Sequence, residues 1–410
     1  MRYNYLIIGG GIAGVTAAET IRAKDREGTI GILSLEPHLL YSRVLLPLFL
    51  KGRIKREQLF LRTVDDFEKN GIDLFLEKEV MSLDPGRREV RMKSGEPYSF
   101  DKLLISSGGV PRPLGILGEA KRGIFRLQSI DDADAIAEYI PSVKKAVVVG
   151  GGFISLEFLE ILSVYNIPAT LVCRSERFFG NALDEAGGEL MAKNFERRGI
   201  DLIFKDEVEA FGGKDRVSAF RTKLGSVFDV DFVGVGIGLK LNDDFLLGTG
   251  VSVSPGRGAR TNEFLETQVP GIFAAGDIAE YFDVTSGEHH THGNWTNAFL
   301  QGKVAGENMV GRERVPFKSV PSYSLTNLGF HITFLGEVNG EAGTATVSRV
   351  DLFKNKYERF FMKEGRLVGA VLINMFQDKP VLTELIERKV PIGDAPDKFS
   401  DMAFDMKSLT

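Results

Sequence analysis

The sequence predicts an α/β protein in which two doubly wound, parallel-sheet units share one chain and an α+β domain follows. Three observations predict it. A glycine-rich strand-to-helix turn occurs twice, at Gly9 and at Gly150, about 140 residues apart. Short β-branched runs alternate with helical stretches around both turns, the pattern of a parallel sheet with helices on its faces. From Pro316 the pattern changes to alternating strands ("GFHITFLGEV", "YERFFMKEGRLVGAVLI") closed by a helix ("KPVLTELIER").

The totals set the bounds. A chain of 410 residues can build two or three cores. It is 43% hydrophobic and has no run of 18 apolar residues, so a transmembrane span is not expected. The N-terminus enters a strand at once ("YNYLIIGG") without a signal-peptide cleavage site, and a cytoplasmic location is expected. A net charge of −5 gives no reason to expect nucleic acid or an anionic membrane as partner. The single cysteine, Cys173, cannot form an internal disulfide, a CxxC pair or a cysteine-rich metal site.

The first turn reads "YLIIGGGIAGVTAAETI". Tyr5 to Ile8 has buried-strand length, Gly9-x-Gly11-x-x-Gly14 follows, and an alanine-rich helix begins. Glu36 ends the next strand, 22 residues after Gly14. Strand, glycines, helix and spaced acid together make a dinucleotide fingerprint: the backbone approaches a pyrophosphate and the acid accepts from a ribose. The second turn, "KAVVVGGGFISLEFLEIL", gives Gly150-x-Gly152-x-x-Ser155 after strand Ala146 to Val149. Here no acid ends the next strand; Cys173 and Arg174 stand there, Cys173 18 residues past Ser155. Two fingerprints imply two Rossmann-like domains and two nucleotides, with electrons passing between them.

Further stretches carry a resemblance. "FDKLLISSGGVPRPLGILG", "VDFVGVGIGLKLNDDFL" and above all "TNEFLETQVPGIFAAGDIAEY" resemble segments of the two-dinucleotide-domain FAD/NAD(P)H oxidoreductases. That family includes rubredoxin and ferredoxin reductases, NADH oxidases and the flavin portion of NADH nitrite reductases. The resemblance implies an FAD-binding domain split over residues 1–115 and 241–315, an inserted NAD(P)-binding domain over 116–240, and a C-terminal α+β domain over 316–410. It implies that Asp277 accepts from the ribityl hydroxyls, a role that suits a carboxylate. It also places Gly9, Gly11, Gly14, Glu36, Arg43, Val80, Ser107, Gly108, Trp295 and Ala298 at FAD. Gly150, Gly152, Ser155, Cys173, Arg174 and Gly238 are placed at NADPH or NADH. Such C-terminal domains often join subunits, so a homodimer is an expectation. The last dozen residues are polar and expected to be loosely held.

Glu157 matches the family's glutamate near the nicotinamide. Ferredoxin-reductase relatives pair that glutamate with a lysine whose place here is Leu48; Lys51 lies three residues on and is the candidate partner. Thiol-dependent relatives keep a redox cysteine where this chain reads Tyr41-Ser42-Arg43, so thiol-based peroxide or disulfide chemistry lacks a nucleophile. The expected activity is hydride transfer from NAD(P)H to FAD and then electron transfer to a small iron-containing carrier, a rubredoxin or ferredoxin. The basic segment Lys51, Arg53, Lys55, Arg56 and Arg62 is a candidate docking lip for it. An oxidase using oxygen, an electron-input subunit of a larger complex and a non-enzymatic NAD(P)H-sensing flavoprotein stay open as alternatives. His289, His290 and His292 are read as a loop lining the flavin rather than a metal site. Missing acid and flanking Arg174 and Arg177 favour NADPH over NADH, with Glu176 the alternative ribose acid.

Overall fold

Ile30–Leu33 and Ala146–Val149 are buried at every position. Branched apolar side chains on both faces suit strands covered by helices on either side. The computed structural model describes residues 1–311, 313–340, 342–392 and 396–409. It divides into two units, 1–45 with 55–110 and 239–321, and 46–54 with 111–238 and 322–410.

In the first unit the strand order is Ile72–Phe75, Ile30–Leu33, Arg2–Ile8, Pro97–Ile105, Glu89–Met92, Val80–Asp84. The first four run parallel, the last two form an antiparallel hairpin, and Ile272–Ala274 lies parallel beside Pro97–Ile105. Alternation puts Tyr5 and Ile7 into one core cluster and Leu6 and Ile8 into another. Helices Ile12–Lys24 and Trp295–Val310 share the first cluster. They pack almost backbone to backbone: a Cβ on Gly302 would lie 2.3 Å from the Ala13 carbonyl oxygen, and one on Gly306 2.7 Å from that of Ala17.

In the second unit a parallel sheet runs Ile200–Phe204, Ala169–Cys173, Ala146–Val149, Phe232–Val235, Ile124–Phe125. A three-stranded antiparallel sheet of Val208–Gly212, Ala219–Thr222 and Val227–Asp229 accompanies it. The C-terminal part is an antiparallel sheet in the order Ser322–Asn327, Phe330–Gly336, Arg366–Ile373, Lys356–Lys363, Ala345–Asp351, followed by helix Lys379–Glu387. The expected class, α/β with an α+β C-terminal part, is the one found.

One expectation is corrected. Residues 399–406 are held at several points: Phe399 is fully buried with its ring 4.9 Å from that of Phe360, and Met406 is buried. Arg349 donates from Nη1 to the carbonyl oxygens of Asp401 (2.8 Å) and Phe404 (3.3 Å). A polar average concealed two apolar anchors and a guanidinium on a strand some fifty residues earlier in the chain. Among the described residues no helix is long and apolar enough to cross a membrane.

Candidate functional site

In the first unit the glycine turn is built from close backbone contacts. Gly9 has φ +111°, and a Cβ there would sit 2.1 Å from the Ser106 carbonyl oxygen. A Cβ on Gly14 would sit 2.0 Å from the carbonyl oxygen of Gly9, whereas one on Gly11 would meet nothing within 4 Å. Gly9 and Gly14 are therefore glycine for the fold, and Gly11 borders open space. Gly11 also caps the helix without a side-chain bond, leaving first-turn N–H groups available to an anion.

Glu36 lies in a bend three residues past strand Ile30–Leu33 rather than ending it, and accepts from Tyr41 Oη at 2.6 Å and from Arg43 Nη2. Burial works against charge on Arg43, yet Glu36, Tyr41 and Asp277 outweigh it and raise its pKa. Asp277 is only partly exposed, and burial raises its pKa against the pull of Arg43. Its carboxylate accepts no hydrogen bond from the described residues, so a half-buried acceptor stands without donors. That is the state expected of a group whose donors belong to a ligand. Ala298 is buried and Trp295 half-buried against the helix core. Ser107 exchanges two hydrogen bonds with Asn242, Oγ to its carbonyl oxygen and Nδ2 back, each 2.9 Å. Gly108, with φ +61°, borders open space, and Val80 starts its strand half-buried. The histidines take separate partners: His289 Nε2 lies 3.1 Å from the Thr261 carbonyl oxygen, His290 Nε2 2.7 Å from Ser286 Oγ, His292 Nδ1 2.9 Å from Tyr281 Oη.

The second unit repeats the turn with one exchange. Gly150 has φ +119° and its Cβ would sit 2.2 Å from the Gly236 carbonyl oxygen, while Gly152 is open. Ser155, fully buried, donates to that same Gly236 oxygen at 3.4 Å. In the first unit the hydroxyl comes from the strand instead: Ser106 Oγ donates to Ile8 at 2.8 Å, opposite Gly14. Each crossing thus holds one serine and one glycine, on opposite sides. Gly238, with φ +92°, is open, and its carbonyl accepts from Arg112 N at 2.9 Å.

Cys173 is buried, its Sγ 3.0 Å from Ser175 Oγ, and a Cβ on Gly151 would lie 2.5 Å from that sulfur. It fills the space under the turn. Arg174 beside it is exposed and makes no ion pair among the described residues. Glu176 is committed to Lys205 at 2.7 Å and Arg177 at 3.4 Å.

Lys51 does not pair with Glu157. Its ammonium donates to Glu160, one turn further along the helix, in a largely buried bridge. Glu157 feels Lys51 only as a charge. Burial raises the Glu157 pKa, with Asn327 and Lys51 opposing and Glu160 adding to the rise. The basic segment is also partly spent: Arg62 pairs with Glu19 and Arg56 stacks on Phe60, while Arg53 and Lys55 are exposed. Asn327 and Tyr323 escaped the sequence reading, because their only signal is a C-terminal strand that ends beside this helix.

Two glycine turns of this make in one chain form the frame for two dinucleotides. The model for pyridine nucleotide-disulphide oxidoreductases matches residues 3–302, and that for the rubredoxin NAD+ reductase C-terminal domain matches residues 321–390. The chain belongs to the pyridine nucleotide-disulphide oxidoreductase family. It is similar to a nitrite reductase [NAD(P)H] of Bacillus subtilis, 28% identical over 95% of this chain and 48% of that one. It is also similar to an NADH oxidase of Methanocaldococcus jannaschii, 30% identical over 90% of this chain and 87% of that one. Among solved structures, the NADH:rubredoxin oxidoreductase of Clostridium acetobutylicum superposes with a TM-score of 0.79 at 25% identity, covering 96% and 97% of the two chains. The chain spans about half the length of the first curated relatives it matches. Family members bind FAD and NAD(P)H, and the glycine turns and the donorless Asp277 fit such groups. The single cysteine of this chain cannot form an internal redox disulfide.

Proposed function

We propose that this chain takes hydride from NAD(P)H onto FAD and hands electrons to a small iron-containing carrier of the rubredoxin or ferredoxin kind. The observation that carries the reading is the union of two nucleotide turns with a rubredoxin-reductase C-terminal domain in a chain whose only thiol is buried under a turn. The chemistry such a nucleotide pair supplies is hydride transfer followed by release of single electrons. The chain's own residues bind and orient. Gly9, Gly11 and Gly14 admit the FAD pyrophosphate, Glu36 and Asp277 accept from its hydroxyls, and Arg43 offsets its charge. Val80, Ser107, Gly108, Trp295 and Ala298 line the rest of it. Gly150, Gly152, Ser155, Cys173 and Gly238 shape the second site, and Arg174 meets a 2′-phosphate, which makes NADPH the preferred donor. Glu157, when ionised, stabilises the positive charge that develops on a nicotinamide ring as it gives up hydride.

The split FAD domain, inserted NAD(P) domain, homodimer and cytoplasmic location belong to the same reading. Anaerobic stopped-flow mixing with NADPH or NADH, followed by a panel of carriers, tests it. Flavin bleaching faster than aerobic turnover, with turnover rising on added carrier, is the expected result. Turnover fast with oxygen alone and unchanged by every carrier would make the chain an oxidase.

A further inference from the structure

Glu157 is carried by helix Phe153–Val164, which packs against strand Ser322–Asn327. The groups that face it are few. Lys51, from the segment before the second unit's nucleotide turn, is withheld by Glu160. Glu160 itself also accepts from Leu328 N at 3.4 Å, so it is occupied on both sides. Tyr323 is a neutral neighbour, its phenol pushed up to about 12 by burial and by the charge of Glu157. That leaves Asn327. Its side chain is buried on the strand that packs against the helix of Glu157, and it favours the ionised carboxylate. Yet Glu157 Oε2 and Asn327 Nδ2 are each buried without a closed hydrogen bond. A buried acceptor and a buried donor left open are each destabilising, and a hydrogen bond between the two removes both penalties.

We propose that Asn327 is the positioning residue for Glu157: its Nδ2 donates to Glu157 Oε2 and fixes the carboxylate in its ionised form and orientation. It does for Glu157 what a lysine at Leu48 would do. The inference rests on reading Glu157 as the carboxylate that faces the nicotinamide. Carrying the donor on the C-terminal domain makes that domain part of the hydride-transfer machinery.

The test reads the carboxyl directly. Infrared titration of the holoenzyme follows the protonated C=O stretch, assigned as the band that Glu157→Gln removes. Asn327→Leu takes away the donor at similar volume, favours the protonated acid, and should raise the midpoint by about one pH unit. Leu48→Lys added to Asn327→Leu should bring it back down. The ascending limb of the pH profile for anaerobic flavin reduction should move with the band. A midpoint unchanged by Asn327→Leu overturns the inference, as does one that Leu48→Lys fails to restore. If the leucine variant does not fold, Asn327→Ser, too short to reach, carries the same expectation. Failure of the proposed function looks different: the infrared midpoint moves as expected, but neither nucleotide bleaches the flavin.

Discussion

Ser106 and Ser155 solve one packing problem from opposite sides. Where a fingerprint helix crosses the strand that ends behind it, there is room for one hydroxymethyl group, and each unit puts it on a different element. Gly14→Ser would place a second one in the first crossing, with its Cβ 2.0 Å from a backbone oxygen. The expected outcome is loss of bound FAD, read from the visible spectrum of the purified protein. Ser155→Gly removes the group from the second crossing and should cost only about 0.5–1 kcal/mol of stability, the usual penalty of a glycine in a helix. Cys173 packs against the second turn, while Arg174 faces solvent and has no ion pair among the described residues. Arg174→Ala should therefore raise KM for NADPH about tenfold or more, the worth of one charge-assisted contact, and leave KM for NADH nearly unchanged. Equal losses for both nucleotides would remove Arg174 from any 2′-phosphate site. Glu176 as ribose acid is disfavoured, since two cations already hold it.

Among the elements, the C-terminal strands and tail depend on one buried guanidinium. Arg349 is 2% exposed and Glu358 0%; Nε and Nη2 both donate to Glu358 Oε2 at 2.6 Å, and Nη1 ties down the tail. Burial pushes the Glu358 carboxyl up, with Arg349 opposing and Asp378 adding to the rise. Removing the cation leaves a buried acid without a counter-charge and frees two carbonyls. Arg349→Met is expected to cost about 3–5 kcal/mol, seen as a lower urea midpoint and as early cleavage within the tail on limited proteolysis. Arg349 sits in a strand that the alternation already predicts, but its partner is on the next strand and its other acceptors are some fifty residues away. No local pattern announces that. The helix Trp295–Val310 is similar: its existence was legible, whereas the closeness permitted by Gly302 and Gly306 emerges only once Ala13 and Ala17 lie opposite.

Across the whole molecule, charge bears on the choice of carrier. The net charge is −5, yet Arg53 and Lys55 stay exposed in the segment after the flavin residues. If that segment guides an acidic carrier, Arg53→Glu with Lys55→Glu should lower kcat/KM for the carrier about tenfold at low salt and flatten its ionic-strength dependence. Flavin reduction by NAD(P)H should be unaffected. The sequence alone determined that the chain has two α/β modules opened by glycine turns and a single cysteine, too few for an internal disulfide. Those properties are written in local signals, a glycine turn between a strand and a helix and the identity of residues at fixed spacings. Tertiary structure alone decided that Lys51 serves Glu160 rather than Glu157, that Arg43 is paired with Glu36, and that the strand carrying Asn327 packs against the helix carrying Glu157. Each of these pairs joins residues whose side chains meet through packing, and spacing along a chain cannot say which of two carboxylates one helical turn apart a lysine will reach.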